Sequence, residues 1–191
     1  MKLKLKTTDG IVIFGMRGSG KTYASVQIVK ELMNKTKVVI LDPTGVYNGY
    51  KHEFDPKKVA IFEVDVLDEE RINSILSWAF KNRAFVTIDE ASEFPFERYG
   101  MIRTLVMRAR NWGCGYLAIT RAPADLRKPF IANASYSLIF RIYELNAIDY
   151  LTHNYYVTSE EIRAIRDHQF ILARGEEILR DKNRRPIYFT F

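Results

Sequence analysis

Short apolar runs alternate along the chain with longer segments in which apolar positions recur at helical spacing. Such runs are typical of strands buried in a sheet, and the segments between them of covering helices. The predicted strands are residues 10–14, Lys37–Leu41, Val59–Val64, Ala84–Ile88, Tyr116–Thr120 and Ser137–Ile142. The predicted helices are Lys21–Met33, Asp68–Lys81, Arg98–Arg110, residues 145–153 and Ser159–Arg166. This alternation predicts an α/β fold, with a mostly parallel central sheet and helices on both faces.

The two ends of the chain and one internal segment do not follow this alternation. The start, Met1–Lys6, alternates lysine with apolar residues, which indicates a strand rather than a signal peptide. Residues 43–58 are rich in Gly, Pro, Asn and Tyr and are predicted to be a loop. The tail contains short β segments: Phe170–Arg174, Ile178–Arg180 and Ile187–Phe191. We interpret residues 1–191 as one domain, with a core at about 10–142 and a helical and short antiparallel extension at about 143–191.

A phosphate-binding pattern follows the first internal strand directly. It reads Gly15, Met16, Arg17, Gly18, Ser19, Gly20, Lys21 and Thr22. The glycines allow successive backbone N–H groups to point inward at a phosphate, and the helix that follows adds its positive N-terminal end. Lys21 would reach the β- and γ-phosphates, and the Thr22 hydroxyl would bind Mg²⁺. The sequence therefore predicts binding of a nucleoside triphosphate, ATP, with Mg²⁺ as its metal.

A dinucleotide-binding fold is the first alternative, because Asp42 lies at the distance where a ribose-binding acid would stand. That fingerprint needs a third glycine at position 23, where this chain has Tyr23. The dinucleotide reading is therefore excluded.

Two acids, Asp89 and Glu90, follow the apolar strand 84–88. Asp89 would hold Mg²⁺ directly or through water, and Glu90 would polarise the water that attacks the γ-phosphate. The structural alternative is that both carboxylates cap the following helix. The second acid favours hydrolysis over transfer to a small-molecule acceptor, because a hydrolysing enzyme must activate water.

Composition limits the class of protein, the cellular compartment and the kinds of metal or membrane site that we expect. The chain is 47% hydrophobic and 27% charged, which is ordinary for a globular protein. Cys114 is the single cysteine, so no internal disulfide forms and a reducing, cytoplasmic compartment is expected. The three histidines, His52, His153 and His168, lack metal-ligand spacing, and no run approaches a membrane span. The net charge of +6 is compatible with a polyanionic partner without identifying one.

Two further segments carry a family resemblance. Residues 110–123 place an arginine and a glycine before an apolar strand that ends in threonine and is followed by a proline, and Asp42–Tyr47 contains acid, proline, glycine and tyrosine. Both resemble the FtsK–HerA superfamily of DNA-pumping ATPases over roughly residues 10–142. The compact size is most similar to the genome-packaging ATPases of icosahedral viruses with internal membranes. The resemblance implies a three-layer P-loop NTPase fold.

By this resemblance, Arg110 is the candidate arginine finger, which would reach the γ-phosphate bound by a neighbouring subunit. Such a finger contributes about 10³–10⁵ in rate. Arg108 is the rival for this role, and a solvated basic surface is the structural alternative. The resemblance also implies a ring of identical subunits, a hexamer.

The sequence departs from the superfamily at the polar sensor. The superfamily has a glutamine after the strand-end threonine, and this chain has Thr120 followed by Arg121. Either Arg121 contacts the γ-phosphate as a cationic sensor, or Thr120 carries the sensing alone.

The implied substrate is double-stranded DNA, held without sequence specificity through its phosphates. The candidate DNA contacts are Arg121, Arg127 and Lys128, with Arg184 and Arg185 as weaker candidates, and solvated surface charge is an equal alternative for each. Four tyrosines could stack on bases, but their helical spacing favours packing: Tyr143, Tyr150, Tyr155 and Tyr156.

The resemblance implies an ATPase that moves DNA into a viral capsid, with capsid or capsid-vertex proteins as partners, in the host cytoplasm or associated with the virion. A cellular or plasmid DNA translocase of HerA type is the first alternative. A small-molecule phosphotransferase and a nucleotide-gated binding module without hydrolysis are the others.

Overall fold

A computed structural model describes residues 4–97 and 100–191 of the chain. Its strands form one sheet: β1 Gly10–Phe14, β2 Val38–Asp42, β3 Val59–Glu63, β4 Phe85–Ile88, β5 Tyr116–Thr120, β6 Tyr136–Phe140, β7 Phe170–Arg174, β8 Glu177–Ile178 and β9 Tyr188–Phe189. The order is β3-β2-β4-β5-β1-β6-β7-β8, and β9 also pairs with β7. Strands β1 to β6 are parallel, whereas β7 is antiparallel to β6 and pairs antiparallel with β8 and β9. The predicted mostly parallel sheet with an antiparallel extension is confirmed.

The helices are α1 Lys21–Leu32, α2 Glu69–Lys81, α3 Met101–Arg108, α4 Lys128–Ala132, α5 Leu145–Asn154 and α6 Ser159–Arg163. Short 3-10 helices cover Val46–Glu53, Ala109–Trp112 and Pro123–Asp125. The start of α2 is capped as predicted, because the Asp68 carboxylate accepts the Arg71 N–H. Helix α6 begins with a reciprocal capping box between Thr158 and Glu161.

Side chains that alternate along the central strands divide the core into two layers. Ile11 and Ile13 of β1 point to the face covered by α1 and by the 3-10 helix Val46–Glu53. Val12 and Phe14 point to the opposite face, which α2 to α6 cover. Because every central strand is buried on both faces, each reads in sequence as a continuous apolar run. The fold is therefore three-layered, as predicted.

Several local predictions were wrong. Residues 43–58 are not all loop, because the buried Asp42 carboxylate accepts the N–H groups of Thr44 and Tyr47 and starts the 3-10 helix. Lys4–Lys6 is not a strand, while residues 1–3 lie outside the described residues. The predicted helix 98–110 is α3 followed by a tighter 3-10 turn, and its first two residues, 98 and 99, also lie outside them. Helix α4 and the 3-10 helix Pro123–Asp125 were not predicted.

None of the helices in residues 4–97 and 100–191 combines the length and apolar character needed to cross a membrane.

Candidate nucleotide-binding site

A cavity of about 610 Å³ opens at the carboxyl edge of the parallel strands. Its walls come from the loop after β1, the ends of β4 and β5, the 3-10 segment after β2 and the residues before β7. The lining residues are Arg17, Gly18, Gly20, Lys21, Thr22, Tyr23, Thr44, Val46, Tyr50, Asp89, Glu90, Arg121 and His168. The sheet therefore gathers the predicted phosphate loop and the acid pair in one place, since parallel strands present their carboxyl ends at one edge.

The phosphate loop has the backbone that its glycines permit. Gly18 and Gly20 have φ values of 78° and 104°, in the left-handed region that favours glycine. Gly15 is packed so closely that an added Cβ would lie 2.6 Å from the Cβ of Phe140. The chain then enters α1 at Lys21, which places a helix N-terminus at the cavity.

Lys21 lies across the loop. Its Nζ donates hydrogen bonds to the carbonyl oxygens of Gly15 at 2.6 Å and Met16 at 3.0 Å. Burial lowers the pKa of Lys21, and the carboxylates of Glu90 and Asp89 oppose that shift. A cation is thus held between the loop and the acid pair, where a β- or γ-phosphate would replace its carbonyl partners.

Asp89 ends β4 and is 6% exposed. Burial raises the pKa of its carboxyl to about 6, and the nearby carboxylates of Glu90 and Asp42 add to the rise. A bound cation would stabilise the charged form of this carboxylate, which burial and the neighbouring carboxylates destabilise. Thr22 and Asp89 supply the hard oxygen donors that Mg²⁺ prefers, and Mg²⁺ commonly takes one or two protein ligands with the rest from phosphates and water. No group of three or more acidic, cysteine or histidine metal ligands occurs in the described part of the chain.

Glu90 has a left-handed backbone, with φ of 44°, which is uncommon outside glycine. Its carboxylate is mostly buried and accepts a hydrogen bond from Arg121 Nε at 3.1 Å. The Arg121 side chain itself is 66% exposed within the cavity. The turn thus aims the second acid into the cavity rather than at a following helix, because the segment after it is a turn.

Thr120 ends β5 and is buried. Its hydroxyl donates to Ser92 Oγ at 3.1 Å, and the Ala91 N–H donates to the Ile119 carbonyl at 2.7 Å. Two bonds therefore join the end of β5 to the turn that carries Glu90. Thr120 does not line the cavity, and Arg121, the next residue, does.

The other predicted arginines lie elsewhere. Arg110 lines a second cavity of about 440 Å³ at the opposite, amino edge of the sheet, beside Gly10 and Gly115. Arg108 is exposed at the end of α3. Neither side chain lines the nucleotide cavity of this chain.

The candidate DNA contacts are all exposed, whereas the four tyrosines differ in their exposure. Arg127 and Lys128 are exposed at the start of α4, and residues 184 and 185 are exposed in the tail. Of the tyrosines, Tyr155 is buried and its hydroxyl is hydrogen bonded to that of Ser137 at 2.9 Å, as packing predicts. Tyr143 and Tyr156 are 54% and 73% exposed, so the packing prediction was wrong for these two.

A buried network supports the loop from the side of β2. The Asp42 carboxylate accepts the Tyr47 N–H at 2.8 Å, and the Tyr47 hydroxyl contacts that of Ser25 in α1. Ser25 Oγ in turn donates to the Thr22 carbonyl at 2.7 Å. The segment after β2 is thereby hydrogen bonded to the first turn of α1, behind the candidate metal ligand.

Sequence reasoning missed five lining residues: Tyr23, Thr44, Val46, Tyr50 and His168. Tyr23 was detectable, because it follows the phosphate pattern directly. Thr44, Val46 and Tyr50 belong to the segment assigned as loop. His168 had no sequence signal, since the antiparallel turn before β7 brings it to the cavity from far along the chain.

Comparison with known proteins gives two kinds of likeness. Residues 5–99 match the family model described as Helicase HerA, central domain. No curated protein is a significant match to the sequence.

The fold resembles B204, the DNA-packaging ATPase from Sulfolobus Turreted Icosahedral Virus, at 18% identity, a TM-score of 0.72 and coverage of 97% of this chain and 98% of that one. B204 from Sulfolobus turreted icosahedral virus 2, a genome packaging NTPase in complex with AMP, has 16% identity, a TM-score of 0.73 and the same coverages, 97% and 98%. VirB4 of Thermoanaerobacter pseudethanolicus has 11% identity and a TM-score of 0.67, covering 92% of this chain and 90% of its own. At these identities the structures show a shared fold.

Proposed function

We propose that this chain is a P-loop ATPase of the FtsK–HerA superfamily that hydrolyses ATP to move double-stranded DNA as a subunit of a viral genome-packaging motor. The single observation that carries the proposal is the cavity at the carboxyl edge of the sheet. It joins Lys21, Thr22, Asp89 and Glu90 around a glycine-rich loop.

Each residue has a distinct task. The loop N–H groups and Lys21 bind the phosphates. They are held in place before the reaction, so they stabilise the negative charge that develops on the phosphate oxygens in the transition state. Thr22 and Asp89 hold Mg²⁺, which neutralises charge on the phosphate oxygens when bound. Glu90 orients the attacking water and accepts its proton, for which its carboxylate must leave the Arg121 guanidinium or share it.

Arg110 completes the site of a neighbouring subunit. Its position at the amino edge, away from its own nucleotide cavity, supports a role in trans. Its planar guanidinium suits the charge that spreads over the γ-phosphate oxygens. The working form is a ring, a hexamer, in which each subunit supplies an arginine to the next.

Arg121, Arg127 and Lys128 contact DNA phosphates without reading sequence. Arg127 and Lys128 are exposed outside the nucleotide cavity, which supports this role, whereas Arg121 is exposed within that cavity and pairs with Glu90. Contacts of this kind predict binding that weakens steeply with salt. Capsid or capsid-vertex proteins are the further partners, in the host cytoplasm or associated with the virion. The name of the B204 proteins as packaging enzymes supports this assignment.

A cellular or plasmid DNA translocase of HerA type is the second candidate. The match of residues 5–99 to the HerA central domain and the likeness to VirB4 favour it. Both candidates use the same site chemistry and differ in what the DNA is moved into.

The deciding experiment measures steady-state ATP hydrolysis over a range of protein concentrations, with and without double-stranded DNA, and with Glu90→Gln as the control. A ring motor gives a rate per subunit that rises with concentration and with DNA and collapses in Glu90→Gln. Hydrolysis that is indifferent to DNA and to concentration would refute the motor.

A further inference from the structure

One wall of the nucleotide cavity comes from the far end of the chain. His168 lies in the turn before β7 and lines the cavity with an exposed side chain. Its N–H donates to the Ser19 carbonyl at 3.2 Å. A methyl group at Gly20 would lie 3.0 Å from His168 Nδ1, so the imidazole stands directly beside the last glycine of the phosphate loop.

The position of His168 is set by its neighbours. Asp167 pairs with Arg141 at 2.6 Å, between Oδ1 and Nη2, and the Arg141 carbonyl accepts the Met16 N–H at 3.0 Å. His168 has φ of 60°, a left-handed conformation that a residue other than glycine keeps when surrounding contacts determine it. The turn and the phosphate loop are thus built as one unit, with the imidazole fixed at its rim.

Strand order gives the direction in which a bound nucleotide must run. The acid pair follows β4, the phosphate loop follows β1, and His168 precedes β7; β5 lies between the first two and β6 between the last two. If the γ-phosphate is held at Asp89 and Glu90, the β- and α-phosphates follow along the loop after β1, in the direction that leads away from β4. The nucleoside then arrives on the β7 side, where His168 stands, and exposed Tyr23 adds a second ring to the lining.

We propose that His168 is a base-binding residue, whose imidazole ring stacks on the nucleobase of the bound triphosphate. This inference rests on the proposed function, since it takes the γ-phosphate to lie at the acid pair. A ring stacked on a base contributes affinity without touching the phosphates, because every base offers a π face. His168 then contributes affinity for the base of the nucleotide and has no part in cleaving the γ-phosphate.

The test compares two Mg²⁺-bound probes by titration calorimetry without DNA: the non-hydrolysable analogue AMPPCP and inorganic tripolyphosphate, which has no base. The variants are His168→Asn and His168→Gly, because both residues accept a left-handed backbone and leave the turn in place. His153→Asn is the matched control, since His153 is an exposed histidine on α5, outside the cavity.

Both His168 variants should weaken AMPPCP binding by about 5- to 150-fold and leave tripolyphosphate binding unchanged. The His153 variant should match the unsubstituted chain with both probes. Equal weakening of both probes, or no weakening of AMPPCP, would overturn base binding by His168. If the unsubstituted chain bound neither probe, the phosphate site and the proposed function would fail instead, and the two failures are thus distinguishable.

Discussion

The two edges of the parallel sheet differ in how many charged side chains they gather. At the carboxyl edge, Lys21, Asp89, Glu90 and Arg121 crowd into one cavity, and burial shifts the pKa of Lys21 downward and that of Asp89 upward. At the amino edge, the cavity beside Gly10 is lined by small, apolar and uncharged polar residues, and Arg110 is the charged member of its lining.

Backbone pairing explains the contrast. The amino edge is closed by hydrogen bonds, since the Tyr116 N–H reaches the Asp9 carbonyl at 3.1 Å and the Ser135 N–H reaches that of Gly10 at 2.7 Å. The carboxyl edge instead leads into a glycine-rich turn and a helix N-terminus, whose N–H groups lack partners within the helix. Charged side chains are therefore concentrated at the carboxyl edge, and we propose that Arg110 at the amino edge acts on a neighbouring subunit.

The largest effect on the hydrolysis rate should come from removing Arg110, the amino-edge residue that we propose acts at the carboxyl-edge site of a neighbouring subunit. Arg110→Ala should lower the hydrolysis rate of the assembled protein about 10³- to 10⁵-fold, because it removes the cation that meets the transition-state charge. Glu90→Gln, with its Arg110 intact, should also be inactive alone. Mixing the two inactive variants should restore hydrolysis, since some interfaces regain both groups.

Arg108→Ala mixed with Glu90→Gln is the matched control for that experiment. If the Arg108 variant is the inactive one and is rescued, the finger is Arg108. Absence of recovery in both mixtures would refute a shared site.

The second prediction distinguishes a role of Glu90 in nucleotide binding from a role in hydrolysis. Glu90→Gln keeps the size and a hydrogen-bond acceptor for Arg121 but cannot take a proton from water. We expect hydrolysis to fall about 10²- to 10⁴-fold, with AMPPCP affinity nearly unchanged. A large loss of affinity would show that Glu90 holds the nucleotide and would count against its role as the base.

Burial of Asp89 should lower stability in the metal-free protein. Its folded pKa of about 6 lies above the ordinary value of 3.8, chiefly through desolvation, then through Glu90 and Asp42, with Lys21 opposing. The folded state therefore binds the proton more tightly, and stability falls as pH rises through the interval between these two values. At about pH 7 the cost is on the order of 1 to 3 kcal/mol.

Asp89→Asn should remove that cost. Its free energy of unfolding, measured by urea titration in a chelator, should exceed that of the unsubstituted protein at neutral pH, and the difference should shrink on acidification. Asp125→Asn, at an exposed aspartate outside the cavity, is the matched control. An Asp89→Asn protein that is less stable at every pH would contradict the desolvation argument.

The smallest effect concerns Arg121. Its ion pair with Glu90 is largely exposed on the arginine side, and such pairs contribute about 1 kcal/mol or less. Arg121→Gln, which introduces the superfamily's residue, should change the hydrolysis rate by less than about fivefold. A much larger loss would assign Arg121 a direct contact with the γ-phosphate.

The sequence predicts those parts of the site that are local in the chain. The loop 15–22 and Asp89 with Glu90 carry their own signal, because each follows a strand and the spacing of strand, turn and helix is short. The strand Tyr116–Thr120 was predicted to the residue, since a strand buried on both faces is a continuous apolar run.

The missed parts depend on contacts between distant residues. The 3-10 helix Val46–Glu53 has weak propensity and forms because the buried Asp42 carboxylate holds its first N–H groups and Tyr47 reaches Ser25. His168 reaches the cavity because β7 reverses direction beside β6. Periodicity reports which face of an element is buried, and it carries no information on which turns meet across a sheet.

The hydrogen bonds at the start of the phosphate loop have a mechanical consequence. The Gly15 N–H is held by the Arg121 carbonyl at 3.2 Å, beyond the end of β5, and the Met16 N–H by the Arg141 carbonyl, beyond the end of β6. The loop is thus a tie between the two strands that flank β1. If phosphates shifted the loop on entering or leaving, both strand ends would be pulled, and with them the segment toward α4 on one side and the turn at His168 on the other.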